Sequence, residues 1–382
     1  MAVMTFDPRE QVLQLLRRST FTIPDLKECF RDWPVACSPH LDQIRKDVHA
    51  WLEETLGEGR ALKISKRADF GLFGATEWPY ASYERCRIAC LFCAWVFTWD
   101  DEIDSSLGSM GDDLESAQTY RFETIQFVKE TLGLCPPSPA GPPSNKIIRN
   151  FQVVGDALRA AYSLPQRRRF FAEVDRFMQG TEDEQRRRLL SRDLPTLAQF
   201  WEYRLGSSAV NICTALIEYA HGDTHTALPE PVWADPDLHT VLRNTNIHLS
   251  ALNDLYSLKK EVANDAVESL VPILLANAAV PDLPAAVAHV AAFVAERSAE
   301  LDECAARLLE RYPECAADLR RFVDNCRCMC TGNRTWSLST GRYGISQRDV
   351  SPADGSIFMD LAELCAKGEP ERRPGSPEEM GC

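Results

Sequence analysis

Trp95-Val96-Phe97-Thr98-Trp99-Asp100-Asp101-Glu102-Ile103-Asp104 runs an aromatic, apolar helix straight into four carboxylates. Such an end is destabilised, because the acids repel one another and the helix macrodipole is negative at its C-terminus. A cation is needed to compensate. At about 100° per residue, Asp100 and Asp104 fall one turn apart on one face, which Phe97 and Cys93 continue toward the apolar end. The pattern is a carboxylate rim above a hydrophobic wall. Hard cations such as Mg²⁺ take oxygen ligands and keep water or phosphate in their remaining positions. By itself, D-D-x-x-D is equally well a helix end that reaches solvent.

The rest of the chain supplies the context. Apolar residues recur at three- and four-residue spacing over long segments, and alternating runs joined by Asn-Gly turns are missing, so the sequence predicts an all-α protein. Proline-rich breaks at 136–143, 221–237 and 281–284 read as loops between helices. In 382 residues, one to three domains fit by length. Composition does not change across the breaks, so one domain is expected: a strap and first helices over 1–64, a bundle over 65–345 and a partly disordered tail over 346–382. Within that tail a short helix is expected around 358–366, and the first thirty residues read as a strap lying across the helices.

Hydrophobic residues at 45% and charged residues at 26% match a soluble globular chain with a sizeable core. The net charge of −14 repels phosphate backbones and anionic lipid, which argues against nucleic acid as a partner. No run approaches the roughly 18 apolar residues of a membrane span; the best, 89–99, ends against Asp100. Asp7, Glu10 and Arg17 interrupt the N-terminus where a signal peptide needs an apolar run, so the fourteen cysteines read as thiols of a cytoplasmic protein. Cys86, Cys90 and Cys93 share a helical face and Cys326, Cys328 and Cys330 cluster, yet without C-x-x-C or a companion His group zinc is a poor reading. The runs Arg167-Arg168-Arg169 and Arg186-Arg187-Arg188 read as solvated helix faces.

A second stretch sharpens the first. In Asn253-Asp254-Leu255-Tyr256-Ser257-Leu258-Lys259-Lys260-Glu261, Asn253, Ser257 and Glu261 stand at i, i+4 and i+8. An amide oxygen, a hydroxyl and a carboxylate therefore form one stripe with three oxygen ligands. Lys260 stands beside it, placed to hold a phosphate oxygen that shares the metal. Alone, this stripe is a plain polar face. Two oxygen stripes in one helical chain make chelation the better reading.

With both stripes in view, the sequence resembles the class I terpene synthases, closest in layout to single-domain fungal and bacterial sesquiterpene cyclases. Asp100-Asp101-Glu102-Ile103-Asp104 resembles their aspartate-rich motif, and Asn253, Ser257 and Glu261 their NSE triad. Arg204, in Trp201-Glu202-Tyr203-Arg204-Leu205-Gly206-Ser207-Ser208, resembles the diphosphate-sensor arginine before a helix break. Arg342-Tyr343 resembles the RY pair that binds diphosphate on closure, and Trp336 stands where an active-site aromatic is often found. The chain departs from many bacterial members in having Ser207 and Ser208 where an acidic linker and a glycine effector stand.

The resemblance implies a helical bundle around a central active-site cavity, with Mg²⁺, three ions by the family pattern, held by Asp100, Asp104, Asn253, Ser257 and Glu261. Arg204, Lys260, Arg342 and Tyr343 would bind the substrate diphosphate, with Ser208 at the effector position. Phe97 and Trp336, and more weakly Phe73, are the aromatic candidates for stabilising a carbocation. The implied reaction is ionisation and cyclisation of a prenyl diphosphate, farnesyl diphosphate first, with geranyl or geranylgeranyl diphosphate as alternatives. A non-catalytic helical protein of the same fold is the remaining reading. No D-x-D-D supports protonation-initiated chemistry, and no second D-D-x-x-D supports chain elongation. The expected state is a monomer or homodimer without stable membrane insertion.

Overall fold

The computed structural model describes residues 7–104, 108–223 and 227–362. From the N-terminus these form α1 (Pro8–Leu16), β1 (Thr20–Ile23), α2 (Leu41–Leu56), α3 (Arg60–Ala68), α4 (Phe70–Glu77), α5 (Tyr83–Asp101) and α6 (Leu114–Thr131). Next come α7 (Lys146–Arg149), α8 (Gln152–Ala161), α9 (Leu164–Leu190), α10 (Leu197–Ser207), α11 (Val210–Ala215), α12 (Ile217–His221) and α13 (Glu230–Trp233). The chain continues through α14 (Pro236–Tyr256), α15 (Leu258–Ala263), α16 (Leu270–Ala276), α17 (Leu283–Arg311), α18 (Ala316–Ser337) and β2 (Ile357–Asp360).

Local chemistry sets several helix starts. Asp235 and Asp282 cap α14 and α17, and each helix carries proline in its first turn, where no intrahelical donor is lost. The expected break at 281–284 thus runs into the first turn of α17. Reciprocal capping boxes open α9 at Ser163 and Gln166, and α10 at Thr196 and Gln199. Asp69 caps α4 from a left-handed conformation and is held there by a forked hydrogen bond from Arg45.

Helix α5 is buried all round from Cys86 to Trp99, apart from Arg87 and Phe97, which marks it as a central helix rather than an amphipathic surface one. Helices α4 and α2 pack against it, α18 packs on α4 and on α14, and α14 lies along α17. These helices surround the cavity described below. The twelve described cysteines are free, and those of α5 and α18 are buried among the core side chains.

The ends differ from expectation. Residues 357–360 are a strand, not the start of a helix, and pair antiparallel with β1 in the register Phe21–Met359 and Ile23–Ile357. Phe21, Ile23, Ile357 and Met359 face inward while Phe358 is exposed, a period of two that four residues are too few to announce. Residues 363–366 of the expected helix, and the expected disorder beyond, lie outside the described residues. The N-terminal strap is itself structured as α1, β1 and a 3₁₀ turn over Leu26–Phe30 packed on α17. Asp25 ties this strap to α18 through Arg334 at 2.5 Å.

Gly332 sets the approach of α18 to α4: a Cβ there would stand 2.8 Å from the Thr76 carbonyl oxygen and 2.9 Å from its hydroxyl. Gly332→Ala gains about 1 kcal/mol of helix propensity but must force the two helices apart. We predict a net loss of about 1–2 kcal/mol in urea denaturation with an unchanged m-value.

Candidate active site

The end of α5 and the α14–α15 segment meet across one cavity. Asp100, Asp104, Arg204, Asn253, Lys260 and Glu261 line both of its compartments, a polar one of about 170 Å³ and a deeper one of about 150 Å³. Helix α5 ends at Asp101, but Asp104 N–H still donates to the Asp100 carbonyl at 3.0 Å, so the turn keeps both side chains on one side. Ser257 sits at the joint between α14 and α15. Its N–H donates to the Asn253 carbonyl at 2.8 Å, and the Glu261 N–H donates to its own carbonyl at 2.9 Å. The three oxygen groups therefore stay in helical register, and the Ser257 hydroxyl donates to Glu261 Oε1.

The charged side chains are already engaged with one another. Arg204 donates to Asp254 Oδ1 at 2.5 Å and to Asn253 Oδ1 at 3.1 Å. Arg342 pairs with Asp101 at 2.7 Å and lies over the Phe97 ring. Asn253 donates to the Tyr343 hydroxyl at 2.5 Å, which draws the C-terminal segment down onto α14. Asp101 thus faces Arg342 rather than continuing the stripe of Asp100 and Asp104.

Acids outnumber cations around the cavity, and the consequence is visible in their protonation. Burial, then the charges of Asp104, Glu184 and Asp101, push the Asp100 carboxyl from 3.8 up to about 7, against the opposing pull of Arg342. Burial and then Asp254 raise Glu261, with Lys260 pulling the other way. Burial also raises Glu184, opposed chiefly by Arg204. For Arg204 burial acts to lower the pKa, but Asp254 and Glu184 outweigh it and the guanidinium stays charged.

This donor set suits a divalent cation. Glu261 Oε2 is buried without a hydrogen-bond partner, and Ser269 stands near it without completing one. A cation would satisfy that lone pair and restore the ionised form of Asp100. No group of three or more His, Cys, Asp or Glu among the described residues forms a preformed cage. The oxygens here include an amide and a hydroxyl and lie on opposing walls, so a cation held by them would keep positions open for water or an anionic ligand.

Below the charged rim lies an aromatic cage. Phe73 meets Phe97 edge-on at 5.3 Å and Trp336 at 4.9 Å, and Phe97 and Trp336 are 5.7 Å apart. Trp336 is fixed by its Nε1–H donating to the Ala68 carbonyl at 2.7 Å and packs edge-on against Tyr343. Phe73, the weakest aromatic candidate in the sequence, is an integral wall of this cage.

The break after α10 is real and has a specific clamp. Ala209 adopts a left-handed conformation (φ 59°), which costs a non-glycine residue about 1–2 kcal/mol. Asn246 of α14 holds it in place. Its amide donates to the Leu205 carbonyl and to Asn211 at 2.9 Å each, and its oxygen accepts from Ser208 at 2.9 Å. Ser207 and Ser208 both line the cavity.

Glu184, Asp254, Asn246 and Arg188 escaped the sequence reading. Thr181, Glu184, Gln185 and Arg188 have the i, i+3, i+4, i+7 spacing of one α9 face and all line the polar compartment, but nothing distinguishes that face from other polar helix faces in the chain. Arg188 corrects the expectation of a solvated arginine run: it donates to the Ile103 and Gly111 carbonyls. Arg167 and Arg169 are likewise fastened, to the Leu132 carbonyl and to Glu230.

Residues 91–300 match the family model described as terpene synthase family 2, C-terminal metal binding. The chain is 31% identical over 361 residues to the sesquiterpene cyclase hepA of Aspergillus oryzae, covering 92% of this chain and 96% of that protein. It is 27% identical over 342 residues to the silphinene synthase peniA of Penicillium patulum, covering 88% of each. Among solved structures, linalool/nerolidol synthase from Streptomyces clavuligerus aligns with a TM-score of 0.67 at 21% identity, over 80% of this chain and 98% of that one. Hedycaryol synthase in complex with HEPES aligns at 0.66 and 21% identity, over 83% and 98%.

The raised pKa of Asp100 has a sign that denaturation can read. Its folded value lies above its ordinary one, so its contribution to stability is complete below about pH 4 and is lost as pH rises toward 7. In metal-free buffer, Asp100→Asn should remove part of that loss and stabilise the protein by about 1 kcal/mol at pH 7.5 and not at pH 4, the gain kept small by the partial exposure of the carboxyl. Thermal melts of the two proteins at both pH values check it.

Proposed function

The chain belongs to terpene synthase family 2 and is a class I terpene cyclase acting on a prenyl diphosphate, and from that premise we propose that its substrate is farnesyl diphosphate and its metal Mg²⁺. The observation that carries this reading is the pair of opposed oxygen stripes, Asp100 and Asp104 against Asn253, Ser257 and Glu261, over a cage of Phe73, Phe97 and Trp336. Its likeness to a sesquiterpene cyclase over nearly its whole length favours the C15 substrate.

In this reading Asp100, Asp104, Asn253, Ser257 and Glu261 hold the ions, three in number, which when bound supply Lewis acidity to the diphosphate leaving group. The side chains do the rest. Arg204, Lys260, Arg342 and Tyr343 donate charge-assisted hydrogen bonds to the diphosphate oxygens, where charge develops as the C–O bond breaks. To do so, Arg204 and Arg342 redirect donors from Asp254 and Asp101, while Tyr343 turns its hydroxyl from Asn253. Substrate binding is thereby coupled to docking of the C-terminal segment. Phe73, Phe97 and Trp336 exclude water from the allylic cation and face it with π surfaces that stabilise charge without attacking it. Ser208, beside the left-handed Ala209, meets the substrate near the reacting carbon.

The catalytic unit is one domain over 65–345 with its strap over 1–64, acting as a monomer or homodimer in the cytoplasm. No described helix is long and apolar enough to cross a membrane.

Incubation with Mg²⁺ and farnesyl diphosphate should yield a cyclic hydrocarbon or alcohol by gas chromatography, and geranyl and geranylgeranyl diphosphate should be poorer substrates. Asn253→Ala should lower turnover about 100-fold or more while the circular dichroism spectrum is unchanged. A volatile product only from the C10 or C20 substrate would overturn the assignment to farnesyl diphosphate. Full activity in excess chelator would overturn the metal role.

A further inference from the structure

Below the aromatic cage the bundle buries a carboxyl that the ionisation step does not use. Glu77 ends α4 with 0% exposure, and neither of its carboxyl oxygens has a hydrogen-bond partner. Only its main chain is tied, the carbonyl accepting from Asn325 at 3.0 Å. A buried, unpartnered carboxyl is a liability for folding that an apolar side chain of similar size would avoid.

Its place in the bundle is specific. Glu77 follows Phe73 by one helical turn, on the same face of α4 and about 6 Å deeper. Cys93 stands one turn inward of Phe97 on α5, and Cys213 follows Val210 by three residues on α11. Phe73, Phe97 and Val210 line the deeper compartment. The Glu77 carboxyl lies near Cys93 and Cys213, close enough for charge on one group to be felt by another. Glu77, Cys93 and Cys213 therefore form the layer directly beneath the cavity lining. That layer lies about 10 Å from Asp100 along α5, and a farnesyl chain is longer than that. The deeper compartment, about 150 Å³, is the size that accepts benzene, so a prenyl chain must press into this floor.

Burial, with no hydrogen-bond partner at either oxygen, holds the Glu77 carboxyl well above the usual carboxylate range and favours the neutral acid, which has one O–H donor and one carbonyl acceptor. A carboxylate in that position would attack the carbocation and form an ester. The neutral acid is a far weaker nucleophile.

Resting on the assignment of the substrate as farnesyl diphosphate, we propose that Glu77 is a proton relay in the cyclisation. Its carbonyl oxygen takes a proton from the carbon next to the cationic centre, and the C–H electron pair becomes a new C=C bond. Its hydroxyl hands its own proton to another double bond of the same hydrocarbon, whose π pair forms the new C–H bond and leaves the cation on the adjacent carbon. The two carboxyl oxygens exchange roles, Glu77 ends neutral, and no outside acid or base is consumed.

The relay hydroxyl exchanges with solvent between turnovers, which makes it readable. The full-length protein is assayed with Mg²⁺ and farnesyl diphosphate in H₂O and in D₂O, with the product followed by mass spectrometry and diphosphate release followed separately. The wild-type product from D₂O should carry one carbon-bound deuterium. Glu77→Gln keeps the shape and the carbonyl but has no acidic O–H. It should release diphosphate within about threefold of wild type and give an unlabelled product of a different skeleton. A wild-type product without carbon-bound deuterium overturns the relay, as does a Gln variant that makes the same labelled product. The wild-type labelling needs no variant and decides the matter if Glu77→Gln fails to fold. Absence of diphosphate release from farnesyl diphosphate in the wild type overturns the assigned substrate as well, whereas release with an unlabelled product overturns the relay alone.

Discussion

Too many carboxylates share one cavity. Asp100, Asp104, Glu184, Asp254 and Glu261 are gathered where Arg188, Arg204, Lys260 and Arg342 cannot neutralise all of them, and burial amplifies the imbalance. Much of the surrounding structure answers to that constraint. Arg204 is braced against Asp254 and Asn253, Arg342 against Asp101, and the carboxyls of Asp100, Glu184 and Glu261 all shift toward the neutral form. A site strained in this way gains most when divalent ions and a diphosphate arrive together. In the proposed reaction the ions would neutralise the acids, and the diphosphate would offer the arginines better partners than they have in the free protein.

The bundle beneath is built so that this charge never reaches the hydrocarbon. Helix α5 carries no charged side chain from Ile88 to Trp99, and Phe73, Phe97 and Trp336 meet at its inner face. Close helix approach supports the cage: Gly332 lets α18 lie against Thr76 of α4, and the Trp336 indole is pinned to the backbone at Ala68. One wall is held less economically. The left-handed Ala209 would be disfavoured on its own, and the hydrogen bonds that link Asn246 to Leu205, Ser208 and Asn211 keep the α10–α11 break in place beside the cavity. Strain, clamp and cavity occur together because the break at Ala209 turns the chain, so that Ser207 and Ser208 before it and Val210 after it line the same cavity.

Legibility in the sequence followed the range of the interactions. The helices and the two oxygen stripes were readable because each depends on residues three, four or eight apart, the spacing that a helix converts into a shared face, whereas Arg204 stood out only by its resemblance to a family's sensor arginine. The strand at Ile357–Asp360 was not, because its partner at Thr20–Ile23 lies more than three hundred residues away and four residues show too little period to outvote a helical reading. Glu184 and Arg188 were hidden for a related reason. Their α9 face has the right spacing, but only packing decides which polar face of a long helix turns inward.

Periodicity and residue type along the chain were enough for the helices, the two oxygen stripes and the chemistry those ligands suit, since donor type and helical period are local properties. Tertiary structure alone decided that the stripes face each other, that Asp101 belongs to Arg342 rather than to the rim, and that Phe73 completes the cage. It also decided that Glu77, unremarkable on paper as the last residue of a short helix, lies without a partner under the cavity floor. Those are properties of which surfaces are packed together and how much water is excluded between them, and no spacing along a chain encodes either directly.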